Sequence, residues 1–471
     1  MKNFVGFLKE ENMSLFTDFY ELTMCASYFD NKNFEPATFD LFIRRLPQNR
    51  SYFLFVGLEQ CLQYLQTIEF TPRHLAYLKT QGFNDDFLQF LGDFKFTGEV
   101  WAMPEGSVAF ENEPLIRVTA PIIEAQLVET FLLNTINMQT MIATKASRVI
   151  HAAKGKPVIE FGLRREHGID AGMKVARSSY IAGCQGTSNV LAGQVYGIPV
   201  FGTMAHSFVM SYPKEIDAFR AFTKTFPDKS TLLIDTYDDI SGAEKAAAVA
   251  KELEKRGCRL GGVRLDSGDL VEDSKKIRSY LDAEGLGYIK IFASGDLDEF
   301  KIEELLSKGA RLDSFGVGTK MGTSADRPYL DVIYKLCETQ NPNGSFTPIM
   351  KLSKDKITLP GRKQVFRQTD ADGKYLKDII GLADEKLDGE PMLIKVMEKG
   401  KLTTKMPALQ QLKETAAENL SKLPDQYKAL SEAPAYSVGL SRNLLNLVRN
   451  LKRQLAVNEI SHVGQAERSQ I

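Results

Sequence analysis

Two arginines stand directly after a short apolar run, in residues 160–165 (EFGLRR). A guanidinium group can bind a carboxylate or a phosphate through two parallel hydrogen bonds, so Arg164 and Arg165 are candidate anion ligands. A single loop arginine is more often only a solvated charge. The neighbouring Phe161 favours the binding interpretation, because its ring can stack on a flat ligand while an arginine pairs with the ligand's carboxylate.

One of the five histidines, His206, lies in residues 202–207 (GTMAHS), just beyond another apolar run. A lone histidine usually has a structural role. The small residues around His206 leave room for a bulky ligand, however, and an imidazole there can act as a general base or as a nucleophile that carries a phosphoryl group. The residues alone leave both roles open.

A third segment, residues 262–269 (GVRLDSGD), combines an arginine with carboxylates at the end of a predicted strand. Arg264 and Asp266 alternate along this strand and therefore point to the same face. Asp266 or Asp269 can hold a ribose hydroxyl or Mg²⁺, which prefers oxygen ligands. The alternative is a purely structural pair of Arg264 and Asp266.

Two glycine-containing turns follow later apolar runs, with Ser294 and Gly295 in the first and Gly316, Gly318 and Thr319 in the second. Their backbone N–H groups and hydroxyls can bind phosphate, and phosphate sites of (β/α) barrels often form after the last two strands. Each turn alone is weak evidence, because tight turns need glycine anyway. Together with the arginines, the turns predict a site for a small anionic, phosphorylated ligand, without fixing the reaction.

The positions of these side chains depend on a repeated strand and helix pattern. Helical stretches, such as residues 242–256 and 270–284, separate the apolar runs, which predicts parallel strands covered by helices. We therefore expect an irregular (β/α) barrel over residues 126–345, with the chemistry at the carboxyl ends of its strands. The predicted strands are residues 157–161, 199–202, 232–235, 262–266, 289–293 and 314–317.

A chain of 471 residues is too long for one compact core, so further domains are expected. Residues 1–125 mix helices with β-rich pieces, which predicts an α+β N-terminal domain. Turn signals in residues 346–400 indicate hairpins that complete this domain. Residues 401–471 are highly charged and predict a small helical C-terminal part. The expected fold class is α/β.

The composition argues against several classes of function. With 59 basic and 60 acidic residues the net charge is -1, and no basic excess suggests nucleic acid or an anionic membrane as a partner. The apolar runs are too short to span a bilayer. The five cysteines are scattered without a CxxC pair, which argues against a disulfide framework and a thiolate zinc site. We expect a cytoplasmic protein.

At these motifs the chain resembles the nicotinate phosphoribosyltransferase family, over nearly its whole length. The resemblance implies a type II phosphoribosyltransferase fold and an enzyme of NAD biosynthesis (salvage). The implied reaction is the ATP-coupled condensation of nicotinate with phosphoribosyl pyrophosphate to nicotinate mononucleotide and pyrophosphate, with Mg²⁺ neutralising the leaving group. The matching segments are residues 17–24 (TDFYELTM), 142–148 (IATKASR), 160–165, 202–207, 262–269 and 315–319 (FGVGT).

The resemblance also implies roles for individual residues. His206 matches the histidine that ATP phosphorylates in this family. Family members form homodimers with shared active sites, in which Tyr20 enters the partner's site and covers the pyridine ring. His206, Arg264 and Asp266 would be the catalytic residues, and Asp269 is a candidate Mg²⁺ ligand. The residues implied to bind nicotinate are Tyr20, Phe161, Arg164, Ser188, Thr203 and Arg264. The residues implied to bind the phosphoribosyl group are Arg165, Asp266, Ser294, Gly295, Gly316, Gly318 and Thr319.

Three alternatives are weighed against this function. Nicotinamide phosphoribosyltransferases share the fold and the histidine, but they place an acidic residue in a KGTD segment to accept hydrogen bonds from the amide. The corresponding residues 185–188 are QGTS, so Ser188 puts no negative charge beside a carboxylate. Quinolinate phosphoribosyltransferases are usually much shorter chains without the ATP-linked histidine. A non-catalytic barrel that binds phosphoribosyl compounds would not need Tyr20, His206, Arg264 and Asp266 together.

Overall fold

The structure is a computed structural model that describes residues 9–228, 230–352 and 358–466. The chain forms two compact units. The first contains the described residues of Met1–Thr140 and Tyr329–Ile471, and the second contains those of Met141–Pro328. Within the described part of the chain, no helix is long and apolar enough to cross a membrane.

The strands are named β1 to β19 in chain order. They are β1 (Pro36–Ile43), β2 (Phe53–Leu54), β3 (Glu99–Ala102), β4 (Val108–Ala109), β5 (Pro114–Pro121), β6 (Val158–Glu160), β7 (Gly186–Thr187), β8 (Thr231–Leu233), β9 (Gly262–Leu265), β10 (Lys290–Ala293), β11 (Ser314–Val317), β12 (Val332–Gln340), β13 (Phe346–Pro348), β14 (Lys363–Thr369), β15 (Tyr375–Leu382), β16 (Glu390–Pro391), β17 (Ile394–Glu398), β18 (Lys401–Leu402) and β19 (Val438–Leu440).

The α-helices are named in the same way, and short 3₁₀ helices occupy Glu10–Leu15, Leu163–Arg165 and Asp425–Lys428. The α-helices are α1 (Phe19–Asp30), α2 (Leu58–Thr67), α3 (Pro72–Thr80), α4 (Asp85–Gly92), α5 (Ile122–Leu127), α6 (Glu129–Ala152), α7 (Ile169–Ile181), α8 (Val190–Tyr196), α9 (His206–Met210), α10 (Glu215–Thr225), α11 (Asp239–Glu254), α12 (Leu270–Ala283), α13 (Glu299–Ser307), α14 (Thr319–Gly322), α15 (Leu409–Lys422) and α16 (Arg442–Ala466).

The first unit is built on antiparallel pairing. Its largest sheet has the order β13-β12-β1-β5-β3-β17-β18, and a four-stranded sheet has the order β16-β14-β15-β19. In the large sheet, Leu41 of β1 lies opposite Ile116 of β5 and Tyr334 of β12. Strand β12 falls in the segment that the sequence assigned to the barrel, yet it extends this sheet, because β12 pairs along β1 and Tyr334 stacks on Phe39 with ring centroids 4.8 Å apart.

Residues 346–400 contain β-strands that belong to the first unit, and the tail beyond residue 400 is not wholly helical. Alongside α15 and α16, it contributes β18 to the large sheet and β19 to the four-stranded sheet. Strand β19 pairs in parallel with β15, with Gly439 opposite Ile379. These strands were not predicted, because each has only two or three residues and lies in a highly charged part of the sequence.

The second unit contains a parallel sheet of six strands in the order β7-β6-β11-β10-β9-β8. This confirms the predicted α/β class, and the strands expected near residues 157–161, 232–235, 262–266, 289–293 and 314–317 are β6, β8, β9, β10 and β11. The run at residues 199–202 forms only one bridge, between Val200 and Thr187 of β7. Strand β7 was not predicted, because two residues carry no periodic signal.

Helix α11 shows how this sequence builds the layer over the sheet. The Asp238 carboxylate accepts a hydrogen bond from the Ser241 N–H at 2.8 Å and caps the helix start. The buried face repeats at helical spacing and consists mainly of alanines, which let the helix approach the sheet closely. A Cβ added to Gly242 would collide with the Ile234 carbonyl group just beyond β8, so only glycine fits there. This contact fixes the carboxyl end of β8 beside the site described next.

Candidate active site

A cavity of about 780 Å³ opens at the carboxyl ends of the strands in the second unit. All but two of the candidate site residues from the sequence line it. They are Phe161, Arg164, Arg165, Ser188, Thr203, His206, Arg264, Asp266, Ser294, Gly295, Gly316, Gly318 and Thr319. These residues come from six separate strand ends and loops, and the parallel sheet brings them together.

Arg264 on β9 lines the cavity, and several hydrogen bonds hold its side chain in place. Its guanidinium donates to the Ser294 hydroxyl at 2.7 Å, the Thr203 hydroxyl at 3.1 Å and the Asp266 carboxylate at 2.6 Å. The side chain is 17% exposed, so it is fixed by its partners while one side still meets the cavity. The guanidinium carbon lies 5.8 Å from the centroid of the Phe161 ring. A flat anionic ligand would find an aromatic surface and a cation next to each other here.

Asp266 stays ionised in this environment. Burial works to raise the pKa of its carboxyl, but the hydrogen bond from Ser294 and the charge of Arg264 outweigh it, so the pKa is lowered. The Ser294 hydroxyl donates to the Asp266 carboxylate at 2.5 Å, and the Asp266 N–H donates to the Asp235 carboxylate at 2.8 Å. A carboxylate held in this way can accept hydrogen bonds from hydroxyl groups of a ligand.

The glycines of the late turns are required by packing as well as by ligand access. A Cβ added to Gly316 would lie 2.7 Å from the Phe292 ring and 2.8 Å from the Phe161 ring. A Cβ at Gly318 would lie 2.8 Å from the Phe161 carbonyl oxygen. Gly295 has a φ of 92°, which side chains rarely tolerate. These glycines therefore let the Phe161 loop and the turns after β10 and β11 close around one cavity.

Arg165 and Lys320 make polar contacts around the start of α14. Arg165 donates to the Thr319 hydroxyl at 3.2 Å, which joins the 3₁₀ helix after β6 to the start of α14. Lys320 forms ion pairs at 3.2 Å with Asp296 and Asp298, at the loop after β10. Backbone N–H groups, a hydroxyl and a guanidinium thus converge near Thr319, which suits a bound phosphate.

His206 begins the short helix α9 and is half-buried at the cavity wall. Its Nδ1 lies 3.2 Å from the Thr236 hydroxyl, at hydrogen-bond distance. The partner is thus a neutral hydroxyl, which orients the ring without adding a negative charge to it. An imidazole oriented in this way can serve as a nucleophile or as a base.

Behind the Phe161 loop lies a pair of buried carboxyls that the sequence analysis did not single out. Glu160 accepts hydrogen bonds from the Thr187 hydroxyl and the Gly162 N–H, but burial outweighs them and raises its pKa. Burial, together with the charge of Glu160, raises the pKa of Glu166 to about 8. In the described part of the chain, neither carboxyl oxygen of Glu166 has a hydrogen-bond partner. Glu166 lies between Gly162 and Gly322, and a Cβ added to either glycine would come within 1.9 Å of Glu166 Oε1, so the Glu166 side chain would have to move.

Two predicted residues are not at this cavity. Asp269 uses its carboxylate to cap α12, where it accepts hydrogen bonds from the N–H groups of Val271 at 3.1 Å and Glu272 at 3.2 Å. Tyr20 lies on α1 of the first unit and is 47% exposed. Burial and the neighbouring Glu129 and Glu21 raise the pKa of its hydroxyl.

Other lining residues were missed by the sequence reasoning, among them Phe201, Leu233 and Leu297. Phe201 is 40% exposed, and its ring lies where a Cβ of Gly186 would come within 2.6 Å of it. The sequence does not indicate that the Phe201 ring is exposed, because its exposure depends on β7 lying next to residues 199–202. Apolar residues at strand ends otherwise look like ordinary core.

No group of three or more His, Cys, Asp or Glu side chains suited to a metal ion occurs among the residues described. Asp266 and Asp296 line the cavity, and each carboxylate already has a cationic partner, Arg264 and Lys320 respectively. This donor set fits Mg²⁺ that shares its coordination with substrate phosphates and water, and it does not fit a cage made only of protein ligands.

Comparisons with known proteins agree with the motifs. Three models of the nicotinate phosphoribosyltransferase family match the chain: the N-terminal domain over residues 15–137, the family itself over residues 157–379 and the C-terminal domain over residues 386–448. A nicotinate phosphoribosyltransferase of Mycobacterium tuberculosis is 44% identical, over 93% of this chain and 94% of that protein. The one of Bacillus subtilis is 40% identical, over 92% and 94%.

Two solved structures have a similar fold. The crystal structure of human nicotinic acid phosphoribosyltransferase is 30% identical, with a TM-score of 0.83 over 92% of this chain and 99% of that chain. A nicotinate-nucleotide pyrophosphorylase from Pyrococcus furiosus is 27% identical, with a TM-score of 0.72 over 90% and 99%. The resemblance carried by the sequence motifs is confirmed, and the alternative functions are not favoured. This chain belongs to the nicotinate phosphoribosyltransferase family.

Proposed function

We propose that the protein condenses nicotinate with phosphoribosyl pyrophosphate to give nicotinate mononucleotide and pyrophosphate in NAD biosynthesis. The observation that carries the proposal is the Arg264 guanidinium beside the Phe161 ring. The pyridine ring stacks on Phe161, and Arg264 with Thr203 binds the carboxylate. Arg164, which lines the cavity from an exposed position, adds positive charge on the approach.

The phosphoribosyl group lies next to the pyridine ring in this proposal. Gly316, Gly318 and Thr319, together with the Arg165 guanidinium, bind the 5-phosphate. Asp266 accepts hydrogen bonds from the ribose hydroxyls, and its lowered pKa supports this role because an ionised carboxylate accepts through both of its oxygens. The turn of Ser294 and Gly295 forms the wall beside it.

ATP coupling is proposed to run through His206. An imidazole nitrogen attacks the γ-phosphorus of ATP, the bond to the β–γ bridging oxygen breaks, and ADP leaves. Water later cleaves the phosphohistidine to release phosphate and regenerate the imidazole. The position of His206 at the cavity wall supports this step, as does its contact with Thr236, which fixes the ring.

Mg²⁺ bound at the cavity would supply positive charge that neutralises the pyrophosphate leaving group. Asp266 and Asp296 are the carboxylates at the cavity that would share its coordination. The chain's own residues then hold the sugar and orient the ring for transfer. Asp269 is a weaker candidate for this ion, because its carboxylate caps α12.

We further propose a homodimer in which Tyr20 of one chain covers the pyridine ring bound by the other. The exposed aromatic side chains of Phe19 and Tyr20, at 54% and 47%, support a partner for α1. In the second unit, helix α8 leaves Val190 71% exposed and Val195 58% exposed, close in sequence to Phe201 of the cavity. Apolar side chains left open in this way are typical of a surface that another chain covers.

The cytoplasm is the compartment we propose, because the five cysteines are all free thiols and four of them are buried. Free thiols persist where glutathione and thioredoxin keep cysteines reduced. Nicotinate, phosphoribosyl pyrophosphate and ATP are the proposed ligands. Nucleic acid is not among them, since the net charge is -1.

The proposed function is tested by a product assay with the purified chain, nicotinate and phosphoribosyl pyrophosphate, with and without labelled ATP. Nicotinate mononucleotide should form, ADP should appear in step with it, and the protein should acquire an acid-labile, base-stable label. His206→Ala should lose the label and ATP hydrolysis, while slow ATP-independent transfer survives. His151→Ala, which removes an exposed histidine at the end of α6, is the control and should keep the label.

Two outcomes would contradict parts of this proposal separately. No nicotinate mononucleotide under any condition would refute the transferase function itself. A His206→Ala enzyme that still hydrolyses ATP in step with product would refute the phosphohistidine and leave the transferase function standing.

A further inference from the structure

Residues 142–148 (IATKASR) form a motif of the sequence that the candidate active site leaves without a role. In the described part of the chain, none of these residues lines the cavity of the second unit. Lys145 and Arg148 are three residues apart on α6, so they share one face of the helix. Both side chains are almost completely buried, and Lys145 is 1% exposed. Because burying a charge is unfavourable without partners, the contacts of these two residues need an explanation.

The Lys145 ammonium group connects two segments that lie on either side of it in the fold. It is 2.6 Å from the carboxylate of Glu299, the first residue of α13, and 2.7 Å from the carboxylate of Asp326, which follows α14. Glu299 is fully buried and also accepts a hydrogen bond from Arg148 Nε at 3.2 Å. One buried lysine on α6 therefore joins the start of α13 to the segment after α14.

Both of these segments are continuous with turns that line the candidate active site. Glu299 comes four residues after Gly295, at the end of the turn between β10 and α13. On the other side, the Thr319 carbonyl oxygen accepts hydrogen bonds from the Thr323 N–H at 2.9 Å and the Thr323 hydroxyl at 2.7 Å. Asp326 follows three residues after Thr323, so a displacement of Asp326 is passed on to Thr319.

Stability is a weak explanation for this buried ion-pair arrangement. Taking charged groups out of water is costly, and apolar side chains of similar volume often give a fold that is at least as stable. Two carboxylates that share one ammonium group do provide a fixed geometry, because both must lie within reach of the same atom. Lys320 of α14 makes a second, partly exposed connection of this kind to Asp296 and Asp298 in the turn after β10. Lys145 and Lys320 together therefore set the distance between the two turns.

We propose that Lys145 is a positioning residue for the phosphoribosyl site. It does not contact the ligand, and it acts by holding the turn of Ser294 and Gly295 at a fixed distance from the turn of Gly318 and Thr319. The inference rests on the proposed function, which assigns the phosphoribosyl group to these two turns. A site built from two separate turns binds well only if their spacing is maintained before the ligand arrives.

Lys145→Met tests this connection, because methionine fills a similar volume without the charge. Glu299 keeps its hydrogen bond from Arg148 in this variant. The Asp326 side chain is 33% exposed and can be hydrated. Neither carboxylate is then left buried without a partner, which is the usual reason why a broken buried ion pair unfolds a protein.

Titration calorimetry on the full-length protein measures the binding of ribose 5-phosphate and, separately, of nicotinate. Lys145→Met should bind ribose 5-phosphate at least about tenfold more weakly than the parent, while nicotinate affinity changes by less than about threefold. This selectivity is expected because Arg264 keeps its own hydrogen bond to Thr203. The matched control Lys301→Met removes a lysine that pairs with Glu304 at 3.0 Å on the surface of α13, and it should bind both ligands like the parent.

Asp326→Ala is the second variant, and it decides the question alone if Lys145→Met does not fold. It removes only the contact on the α14 side, at a side chain that is already partly exposed. Ribose 5-phosphate affinity should fall at least about threefold, with nicotinate affinity close to that of the parent.

Three results would overturn the inference, and they are distinguishable. Equal ribose 5-phosphate affinity in the parent and the folded variants would refute the role of Lys145 and leave the proposed function standing. An equal loss of affinity for both ligands would mean that Lys145 serves stability alone. If the parent itself binds no ribose 5-phosphate, the proposed phosphoribosyl site fails and this inference fails with it.

Discussion

At the residue scale, Arg264 organises the candidate active site because its one planar group meets Thr203, Asp266 and Ser294 at fixed angles. A lysine would keep the charge but could not reproduce this fork of donors. The same contacts leave the guanidinium partly open to the cavity and close to the Phe161 ring. The arrangement is therefore ordered before any ligand arrives, so little entropy is lost when a carboxylate binds.

Ser188 provides the residue-scale prediction. Its side chain lines the cavity, so the carboxylate in Ser188→Asp would lie near the carboxylate of nicotinate. We expect kcat/KM for nicotinate to fall at least about 100-fold through this repulsion, a barrier change of roughly 2.7 kcal/mol. Ser188→Asn, which adds similar bulk without charge, should lose much less. Steady-state kinetics measure both variants, and unchanged nicotinate kinetics in Ser188→Asp would mean that residue 188 does not face the ring.

The residues that sequence reasoning located are those whose spacing has a direct geometric meaning. Arg264 and Asp266 share a face because they alternate on a strand, and they meet at 2.6 Å. Asp269, three residues after Asp266, caps α12. The alternation of residues along a strand cannot predict this role, because Asp269 lies beyond the strand. Glu166 and Phe201 were missed because their surroundings come from distant glycines, Gly322 and Gly186. Such contacts exist only once the chain has folded.

At the element scale, the site is produced by parallel strands that end at one edge of the sheet. The longer apolar runs were predicted correctly as β6, β8, β9, β10 and β11. The run at residues 199–202 makes only a bridge to Thr187, because β7 beside it is two residues long. Strands this short are set by their neighbours and not by their own periodicity.

Glu166 lies between two of these elements, the turn after β6 and helix α14. We expect its buried carboxyl to make the stability of the fold depend on pH. The pKa of this carboxyl rises from its ordinary 4.5 to about 8 on folding. Below pH 4.5 both states are protonated. Between pH 4.5 and about pH 8 the folded state holds one more proton than the unfolded state. The contribution of Glu166 to stability therefore falls as the pH rises through this range.

Glu166→Gln should remove this dependence, because glutamine resembles the protonated acid. We expect the variant to melt at a higher temperature than the parent near about pH 8.5 and at nearly the same temperature near about pH 5. Glu303→Gln, at an exposed position on α13, is the control and should show no such divergence. Melting curves that run parallel for Glu166→Gln and the parent across this range would refute the role of burial at Glu166.

At the scale of the whole molecule, each unit carries its own cavity and the strongest site chemistry lies in the second. The role of Tyr20 on α1 of the first unit is open to a complementation experiment. Tyr20→Ala and Arg264→Ala should each be inactive as homodimers. If Tyr20 completes the partner's site, a heterodimer of the two variants should regain one intact site, about half of the wild-type activity.

The heterodimer is isolated through two different affinity tags and assayed against each homodimer variant purified in the same way. Recovery in the heterodimer alone supports a shared site. A pure heterodimer without recovered activity would assign Tyr20 to its own chain's site or to no site at all.

The central claim is that the cavity of the second unit recognises a pyridine carboxylate, and the ratio of kcat/KM for nicotinate and nicotinamide tests it most directly. Arg264 attracts a carboxylate, and Ser188 adds no negative charge that would repel it. We predict that kcat/KM for nicotinate exceeds that for nicotinamide by at least about 100-fold, measured with phosphoribosyl pyrophosphate and ATP at saturation. Equal use of the two substrates, or a preference for the amide, would contradict the account.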